Sequence, residues 1–211
     1  MDIGELRQDY CQSGLSRKDM NKDPFLQFNQ WFDQAQSAGI KEPNAMSIAT
    51  VSTEGEPSLR TVLLKLFDDR GFVFFTNYQS QKAKEIKANP NVAVLFPWID
   101  LERQVRISGI AEKITTKESF AYFTSRPKGS QIGAWISPQS QLIESRDFLK
   151  SKLIEIKAKF ANGKIPLPNA WGGYRIIPNK FEFWQGRSNR LHDRFVYQKR
   201  GDTWTINRLA P

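Results

Sequence analysis

The chain opens with a polar stretch and then changes to a helical pattern of apolar residues. Residues 1–22 carry only scattered apolar positions, so we predict a mobile N-terminal arm before a single domain over residues 23–211. Asp23-Pro24 is typical of a helix start, because aspartate accepts from free amides and proline fits the first turn. One apolar face should follow, with the helix ending near Gly39. The positions on that face are Phe25, Phe28, Trp31, Phe32 and Ala35.

Beyond Ala45, period-two patterns separated by turn residues predict strands. We place strands at residues 45–52, 59–67, 72–77, 91–98 and 103–114, and three more near 174–184, 194–198 and 204–209. Helical patterns cover residues 79–88, 117–126, 130–136 and 142–160. Strands at regular spacing, with helices in only some of the connections, favour an antiparallel barrel with peripheral helices. This is an α+β fold, and it disfavours a parallel doubly wound sheet.

Length and composition restrict the class of protein. The 211 residues, 39% of them hydrophobic, can bury a substantial core in one domain. No apolar run approaches the ~20 residues that a membrane-spanning helix needs, and the N-terminus lacks the pattern of a signal peptide. The single cysteine, Cys11, excludes an internal disulfide bond. We therefore expect a cytoplasmic protein.

A basic excess points to anionic ligands. The chain has 31 basic and 22 acidic residues, a formal net charge of +9, but no run of five basic residues. Dispersed cations favour phosphorylated small molecules over nucleic acid or a membrane surface. One histidine and one cysteine do not supply a typical zinc cluster, so we expect no metal site.

Three segments carry candidate anion ligands. The segment RTVLLK, Arg60 to Lys65, is apolar on both strand faces, which predicts a buried strand whose final lysine either reaches an anion or extends to solvent. Ser80-Gln81-Lys82 opens a helix, and free amides at such a start favour phosphate. Tyr122, Arg126 and Ser130 are spaced four apart and could hold a phosphate dianion, or form a solvated helix end broken at Pro127.

The segment WQGRSNRLHDRF, residues 184–195, combines three arginines, a tryptophan and the only histidine. Guanidinium groups beside an indole suit a flat anionic ligand. Strand alternation predicts that Arg190, His192 and Arg194 lie on one side. A serine-hydrolase triad is disfavoured because no G-x-S-x-G elbow is present, and no G-x-G-x-x-G or P-loop motif supports a nucleotide-binding fold.

Several motifs together resemble the pyridoxine (pyridoxamine) 5′-phosphate oxidase family. They are RTVLLK, LFPW with ERQVRISG, SRPKGSQIGAW, PLPNAWGGYR, FEFWQG, RLHDRF and the terminal RLAP, in the family's order and over nearly all of the chain beyond the arm. The resemblance implies an FMN-binding split β-barrel and a homodimer with FMN at the subunit interface. It also implies oxidation of pyridoxine 5′-phosphate and pyridoxamine 5′-phosphate to pyridoxal 5′-phosphate, with dioxygen as the electron acceptor.

The resemblance also assigns the cofactor-binding positions. Where many family members carry Arg-Lys, this chain has Gln81-Lys82, so we expect a weaker contact to the FMN phosphate from residue 81 and more of its charge on Lys82 and Arg60. The expected FMN-binding residues are Arg60, Thr61, Val62, Leu63, Leu64, Lys65, Phe75, Thr76, Gln81, Lys82, Gln104, Gln139, Ser140, Trp184 and Arg194.

The same resemblance assigns the substrate side. Arg190 and His192 match the catalytic residues that contact the pyridine ring and its reacting substituent. The expected substrate-binding residues are Arg7, Tyr10, Lys65, Tyr122, Arg126, Ser130, Arg190 and His192. Two alternatives stay open: a flavin reductase or other FMN- or heme-binding barrel, and a binding module that holds FMN or pyridoxal 5′-phosphate without turnover.

Overall fold

The first helix forms where the apolar pattern predicts it. The computed structural model describes residues 10, 14–161 and 163–211. Helix α1 spans Pro24–Ser37, and the Asp23 side chain accepts a hydrogen bond of 2.8 Å from the amide of Phe25. Gly39 follows the helix with a φ of +74°, a left-handed conformation that glycine adopts without strain. The predicted helix is therefore confirmed, with its cap and its stop.

In the described chain, nine strands form one sheet, α1 precedes the first strand, and four further α-helices lie in the connections between strands. The strands are β1 Ala45–Val51, β2 Pro57–Leu63, β3 Leu66–Asp68, β4 Gly71–Asn77, β5 Asn91–Trp98, β6 Arg103–Lys113, β7 Trp171–Gln185, β8 Asp193–Arg200 and β9 Thr203–Leu209. The remaining helices are α2 Gln81–Ala88, α3 Thr116–Ser125, α4 Lys128–Ile136 and α5 Arg146–Lys159.

The strand order is β2-β1-β5-β6-β7-β4-β3, with β8 and β9 continuing from β7. Neighbouring strands pair antiparallel throughout the described chain. The long strands β6 and β7 form the centre, and their register shifts between Ser108 and Gly109. A Cβ at Gly109 would overlap the backbone carbonyl of Ile177, so glycine is required at this close approach. The α+β class and the antiparallel sheet with peripheral helices are confirmed.

Helix α1 covers the concave face of the sheet with aromatic side chains. Phe28 is fully buried, with ring centroids 4.9 Å from Phe72 and 5.0 Å from Phe96. Trp31 packs edge-on against Phe183 at 5.2 Å. Edge-to-face aromatic pairs at such distances stabilise a core beyond their buried area. This core fixes β4 and β5, and the end of β4 carries part of the site described below.

The RTVLLK segment differs from the sequence-based prediction in two ways. It is not one strand, because β2 ends at Leu63 and β3 begins at Leu66. Most of it is also not buried within the chain, since β2 is the edge of the sheet: Thr61 and Lys65 are exposed, and of the six residues Leu64 alone is buried. An apolar pattern on both faces indicates burial, but the described chain has no element that covers the outer face of β2.

Helix α5 also begins later than predicted. Its N-cap is Ser145, whereas the pattern placed the start at Leu142, which is fully exposed. Ser140 has a φ of +67°, a left-handed conformation that turns the chain before the helix can begin. Leu142 therefore belongs to the connection between α4 and α5.

The residues just before α1 pack against the C-terminal strands. Leu15 and Met20 are buried in the main core. The Leu15 amide donates to the Asp193 carboxylate at 2.9 Å, and Arg208 donates to the Leu15 carbonyl at 3.0 Å. The division of the chain at residue 22 and the mobility of the arm stay predictions. Among the described helices, none has the length and apolar content to cross a membrane.

Candidate functional site

A cavity of about 770 Å³ opens between the edge strand β2, the end of β4, the start of α2 and the end of α3. Its lining carries four cations, Arg60, Lys65, Lys82 and Arg126, and no carboxylate among the described residues. Such a charge pattern in a concave site suits a ligand with anionic groups. The lining residues are Ser58, Leu59, Arg60, Thr61, Val62, Leu63, Lys65, Phe75, Thr76, Gln81, Lys82, Tyr122, Arg126, Gln139, Ser140 and Trp171.

Lys82 is a buried cation whose near contacts are hydroxyl groups. It lies in the first turn of α2, is 6% exposed, and its Nζ donates to Thr76 Oγ1 at 3.3 Å and Ser80 Oγ at 3.5 Å. Burial lowers the pKa of Lys82, and the nearby charge of Arg60 lowers it further. An anion bound here would stabilise the charged ammonium and raise its pKa again. The ammonium, the two hydroxyls and the helix start therefore fit a phosphate group.

Gln139 joins the loop after α4 to the same end of the cavity. Its Oε1 accepts hydrogen bonds from Thr76 Oγ1 at 3.1 Å and from the Asn77 amide at 3.2 Å. These bonds leave the Gln139 amide nitrogen available at the cavity wall. Gln139 and Thr76 were expected to share a ligand, and the structure brings them into direct contact.

Arg126 lines the cavity from the end of α3. It caps the C-terminus of α3, and its Nη1 is buried with no hydrogen-bond partner among the described residues. Its guanidinium lies 4.7 Å from the centroid of the Trp171 ring. Burial lowers the pKa of Arg126. A buried guanidinium nitrogen without a partner is costly, and an anion in the cavity would satisfy it.

Three stacked aromatic rings form a wall beside Arg126. Tyr122 stacks on Phe75 with centroids 3.9 Å apart, and Phe75 stacks on Trp171 at 5.3 Å. Burial raises the pKa of Tyr122, so its hydroxyl stays protonated and can donate. Ser130 lies next to this wall in an adjoining pocket of about 280 Å³ that Arg126 also lines. The wall suits a flat ring, with donors at its edge.

A second cluster lies at the ends of β7 and β8. Trp184 and His192 have ring centroids 4.6 Å apart, and Tyr10 contacts both rings edge-on at 5.7 Å and 5.5 Å. His192 Nδ1 accepts a hydrogen bond of 3.1 Å from the Arg187 amide. In the neutral imidazole the proton therefore lies on Nε2, which becomes a donor. A Cβ at Gly186 would come within 2.8 Å of the Tyr10 ring, so glycine makes room for it.

Arg194 is held in place from two sides. Its Nε and Nη2 contact Glu182 Oε1 at 2.9 Å and 2.8 Å, and its Nη1 donates to the Ala210 carbonyl at 2.9 Å. Trp184 pairs in register with Gln104 on one side and with Arg194 on the other. These three residues, expected together, are therefore neighbours across β6, β7 and β8.

The alternation argument for Arg190, His192 and Arg194 is wrong. Strand β8 begins only at Asp193, and Arg190 lies in a short 3-10 turn with a left-handed φ of +59°. Asn189 before it is also left-handed, with a φ of +55°. The period of two does not apply across such a turn, so Arg190 and His192 are not placed by strand geometry.

The structure thus divides the expected site residues. The cavity brings together most of the positions on β2, β4, α2 and α3, with Gln139 and Ser140. Eight other described positions do not line it: Tyr10, Leu64, Gln104, Ser130, Trp184, Arg190, His192 and Arg194. Leu64 is buried in the core instead. Arg7 lies outside the described residues.

Sequence reasoning missed three residues that line the cavity: Ser58, Leu59 and Trp171. Trp171 stands in the PNAWGG motif, so a large aromatic at the start of a strand was the available signal. Ser58 and Leu59 carry no chemical signal of their own. They reach the cavity because β2 is an edge strand.

Comparisons with known proteins identify the family and the fold. A family model described as "Pyridoxamine 5′-phosphate oxidase" matches residues 32–160. A second, described as "Pyridoxine 5′-phosphate oxidase C-terminal dimerisation region", matches residues 171–211 and so includes the Trp184–His192 cluster. Among solved structures, PhzG from Burkholderia lata, in complex with tetrahydrophenazine-1-carboxylic acid, has a TM-score of 0.87 and 29% identity, over 92% of this chain and 95% of that chain.

A pyridoxamine 5′-phosphate oxidase-related, FMN-binding protein from Nostoc punctiforme shares the fold, with a TM-score of 0.73 and 16% identity over 91% of this chain and all of that chain. The expected split β-barrel is thereby confirmed. Relatives that match over the full length of the chain identify the family. The pyridoxine/pyridoxamine 5′-phosphate oxidase of Rippkaea orientalis is 64% identical over 100% of both chains, and that of Aliarcobacter butzleri is 59% identical over the same share. The chain belongs to the pyridoxine/pyridoxamine 5′-phosphate oxidase family.

Proposed function

We propose that this chain is an FMN-dependent oxidase that converts pyridoxine 5′-phosphate and pyridoxamine 5′-phosphate to pyridoxal 5′-phosphate. The observation that carries the proposal is a single cavity with four cations, no lining carboxylate among the described residues and a stacked aromatic wall. Its cations come from different elements: Lys82 and Arg60 lie on α2 and β2, which we call the Lys82 end, and Arg126 lies at the end of α3, which we call the Arg126 end. Two phosphates, one on the cofactor and one on the substrate, fit these two ends.

The Lys82 end would hold the phosphate of FMN. Lys82 and Arg60 supply charge, and the hydroxyls of Thr76 and Ser80 lie beside the ammonium. FMN held there would supply two-electron redox chemistry with dioxygen, which would become hydrogen peroxide. The substrate would lose two electrons and two protons at C4′ and its oxygen or nitrogen, which gives the aldehyde directly from the alcohol and an imine from the amine. Water would hydrolyse that imine to pyridoxal 5′-phosphate and ammonia. The chain's own residues bind, orient and exclude water.

The Arg126 end would hold the phosphate of the substrate. Arg126 Nη1, which has no hydrogen-bond partner among the described residues, would gain an acceptor there, and the protonated hydroxyl of Tyr122 could add a donor. Lys65 lines the same cavity, and Ser130 lines the adjoining pocket. Anchoring the phosphate at one point limits how far the ring can move, and a fixed ring lowers the entropic cost of reaction.

We further propose that the active unit is a homodimer with FMN at the subunit interface. The C-terminal region matches a dimerisation region. Leu59, on the exposed edge strand beside the cavity, is 70% exposed and gives a second copy an apolar surface to cover. The Trp184–His192 cluster does not line the cavity of its own chain. A second copy would bring such a cluster to the cavity, and each site would then draw on both subunits.

We assign roles to that cluster and to the nearby arginines Arg190 and Arg194. The Nε2 proton of His192 can donate to the oxygen or nitrogen on C4′. Arg194, fixed by Glu182 and Ala210, would place a positive charge at the polar edge of the flavin. Arg190 would cover the face of the pyridine ring. Tyr10 and Trp184 pack around His192 and would help to exclude water.

Steady-state assays of the FMN-loaded protein test this proposal. We expect pyridoxal 5′-phosphate to form from either substrate, with one hydrogen peroxide per product. Protein that retains FMN but forms no product from either substrate would contradict the oxidase proposal and leave a binding module or another barrel enzyme. The absence of a metal requirement, the lack of nucleic-acid and membrane partners and a cytoplasmic location stay predictions. Chelator treatment of the loaded enzyme checks the first of them.

A further inference from the structure

A buried carboxylate stands directly behind the cationic end of the cavity. Glu85, in the second turn of α2, is 6% exposed and does not line the cavity. Its Oε2 accepts a hydrogen bond from Thr50, and its Oε1 accepts from Ser58 at 2.9 Å and from Gln81 at 2.9 Å. Arg60 Nη2 lies 3.4 Å from Oε2. The carboxylate of Glu85 thus contacts residues that line the cavity in which we place the phosphate of FMN.

Glu85 is held in its charged form. Burial alone would raise its pKa, but the hydrogen bonds from Thr50, Gln81 and Ser58 and the charge of Arg60 together hold the pKa below its ordinary value. An ionised carboxylate can only accept hydrogen bonds. Its neighbours must therefore turn their donors toward it.

The side chain of Gln81 directs its donors toward Glu85. Its amide nitrogen donates to Glu85 Oε1 at 2.9 Å and to Ser58 Oγ at 3.1 Å, and these two bonds use both amide protons. Gln81 lines the cavity, but only its carbonyl oxygen remains for a ligand. A carbonyl oxygen offers no hydrogen bond to a phosphate oxygen. The amide protons of Gln81 are taken by Glu85 and Ser58.

Arg60 makes hydrogen bonds that do not involve Glu85. Its Nη1 donates to the carbonyls of Ile48 at 3.4 Å and Ser58 at 3.2 Å, and to the hydroxyl of Thr50. All three acceptors are neutral. Without the charge of Glu85, the guanidinium would keep these contacts and lose its one anionic partner within the described chain.

We propose that Glu85 is an internal counter-anion that competes with the cofactor's phosphate for Arg60 and Gln81 and thereby sets the affinity for FMN. The inference rests on the proposed function, because it takes FMN as the ligand of this cavity. In the absence of a phosphate, Glu85 offsets the charges of Arg60 and Lys82 and stabilises the fold. When a phosphate is bound, the same carboxylate repels it and withholds donors from it.

The variant Glu85→Gln removes the charge and keeps the shape of the side chain. We expect the Kd for FMN, followed by flavin fluorescence quenching in the FMN-stripped full chain, to fall about tenfold. The Kd for riboflavin, which lacks the phosphate, should stay within about twofold. The melting temperature of the stripped protein should fall by about 2–8 °C, because a buried charged network loses its centre. Tighter binding with a less stable apoprotein is a combination that a purely structural role does not produce.

A matched control separates the local effect from the change in net charge. Glu155 is exposed on α5, so Glu155→Gln changes the net charge equally and should leave the Kd for FMN within about twofold. Weaker or unchanged FMN binding in Glu85→Gln would overturn the inference, as would an equal change in the Kd for riboflavin. If the wild-type chain does not bind FMN, the proposed function fails. If it binds FMN and Glu85→Gln does not bind more tightly, only this inference fails.

A second variant keeps the test available if Glu85→Gln does not fold. Gln81 is exposed, so Gln81→Arg should fold normally. Residues four apart on a helix pair readily, and Glu85 should take up the new guanidinium. We expect Gln81→Arg to tighten FMN binding by less than about threefold. A gain of tenfold or more in the presence of Glu85 would show that the carboxylate does not compete, and would overturn the inference.

Discussion

Replacing Arg126 with methionine distinguishes the substrate's phosphate from the cofactor's. Methionine keeps an apolar stem of similar length and removes the guanidinium, whose Nη1 has no partner among the described residues. If the substrate's phosphate binds here, the variant should raise the KM for pyridoxamine 5′-phosphate and leave the Kd for FMN unchanged. A hydrogen bond to a charged group contributes about 1.5–3 kcal/mol, which corresponds to a rise in KM of about 10- to 150-fold.

The effect of Arg126→Met on the free energy of unfolding of the apoprotein is a second, independent prediction. A buried Nη1 with no partner in the described part of the chain costs the folded protein about 1–3 kcal/mol, and methionine removes that cost. The lost contact with Trp171, 4.7 Å from the guanidinium, contributes about 0.5–2 kcal/mol in the other direction. The free energy of unfolding should therefore fall by no more than about 1 kcal/mol and can rise by about 2.5 kcal/mol. Denaturant unfolding of the FMN-stripped protein measures it.

The assay is steady-state formation of pyridoxal 5′-phosphate by the FMN-loaded enzyme over a wide range of substrate concentration. Arg146→Met, at the exposed start of α5, is the matched control and should leave KM unchanged. A variant in which KM is unchanged while the Kd for FMN rises would refute the reasoning. It would mean that Arg126 holds the cofactor's phosphate and that the two ends of the cavity are assigned in reverse.

Three further predictions address other parts of the molecule. Arg190→Ala should lower turnover at least tenfold without changing the FMN content, because Arg190 is assigned to the substrate ring; unchanged turnover would defeat that role. The Kd for FMN should rise as the pH rises through the pKa of Lys82, which burial lowers in the free protein, while riboflavin binding stays flat over the same range. The same lowered pKa means that the folded apoprotein binds fewer protons than the unfolded chain between the two pKa values, so its stability should rise with pH in that window. Gly109→Ala should lower the melting temperature by at least about 4 °C, because its Cβ would overlap the Ile177 carbonyl, whereas Gly129→Ala, with open space around it, should not lower it. Equal melting temperatures for the two glycine variants would contradict the steric argument.

Helices and strands were predictable from the sequence where the local pattern and the packing of the folded chain favour the same element. The strand predicted at residues 91–98 is β5, with the same bounds, because alternation and turn residues coincide there. Helix α1 follows from Asp23-Pro24 and a single apolar stripe. Pro127 ends α3 at Ser125, as the restriction on the residue before a proline requires.

The exposure of β2 was not predictable in the same way. Its pattern is that of a buried strand, but burial depends on what covers it, and β2 is the edge of the sheet. Leu59 is exposed for that reason. An apolar pattern indicates that a strand face should be buried. It does not show whether the element that buries it belongs to the same chain.

Two features of the site depend on tertiary structure. The left-handed turn at Arg190 follows from no residue type, because arginine rarely adopts it, so the alternation argument failed there. Glu85 stands four residues after Gln81, a helical pair that the sequence displays, but its contacts with Thr50 and Ser58 join α2 to β1 and β2. Such contacts appear only when the sheet is formed.

The absorption spectrum of the FMN-loaded protein, recorded before and after anaerobic addition of pyridoxine 5′-phosphate, tests the central claim most directly. The account predicts a yellow flavin spectrum that bleaches on addition of the substrate and returns when air is admitted. A flavin spectrum that stays unchanged with both phosphorylated substrates would contradict the account.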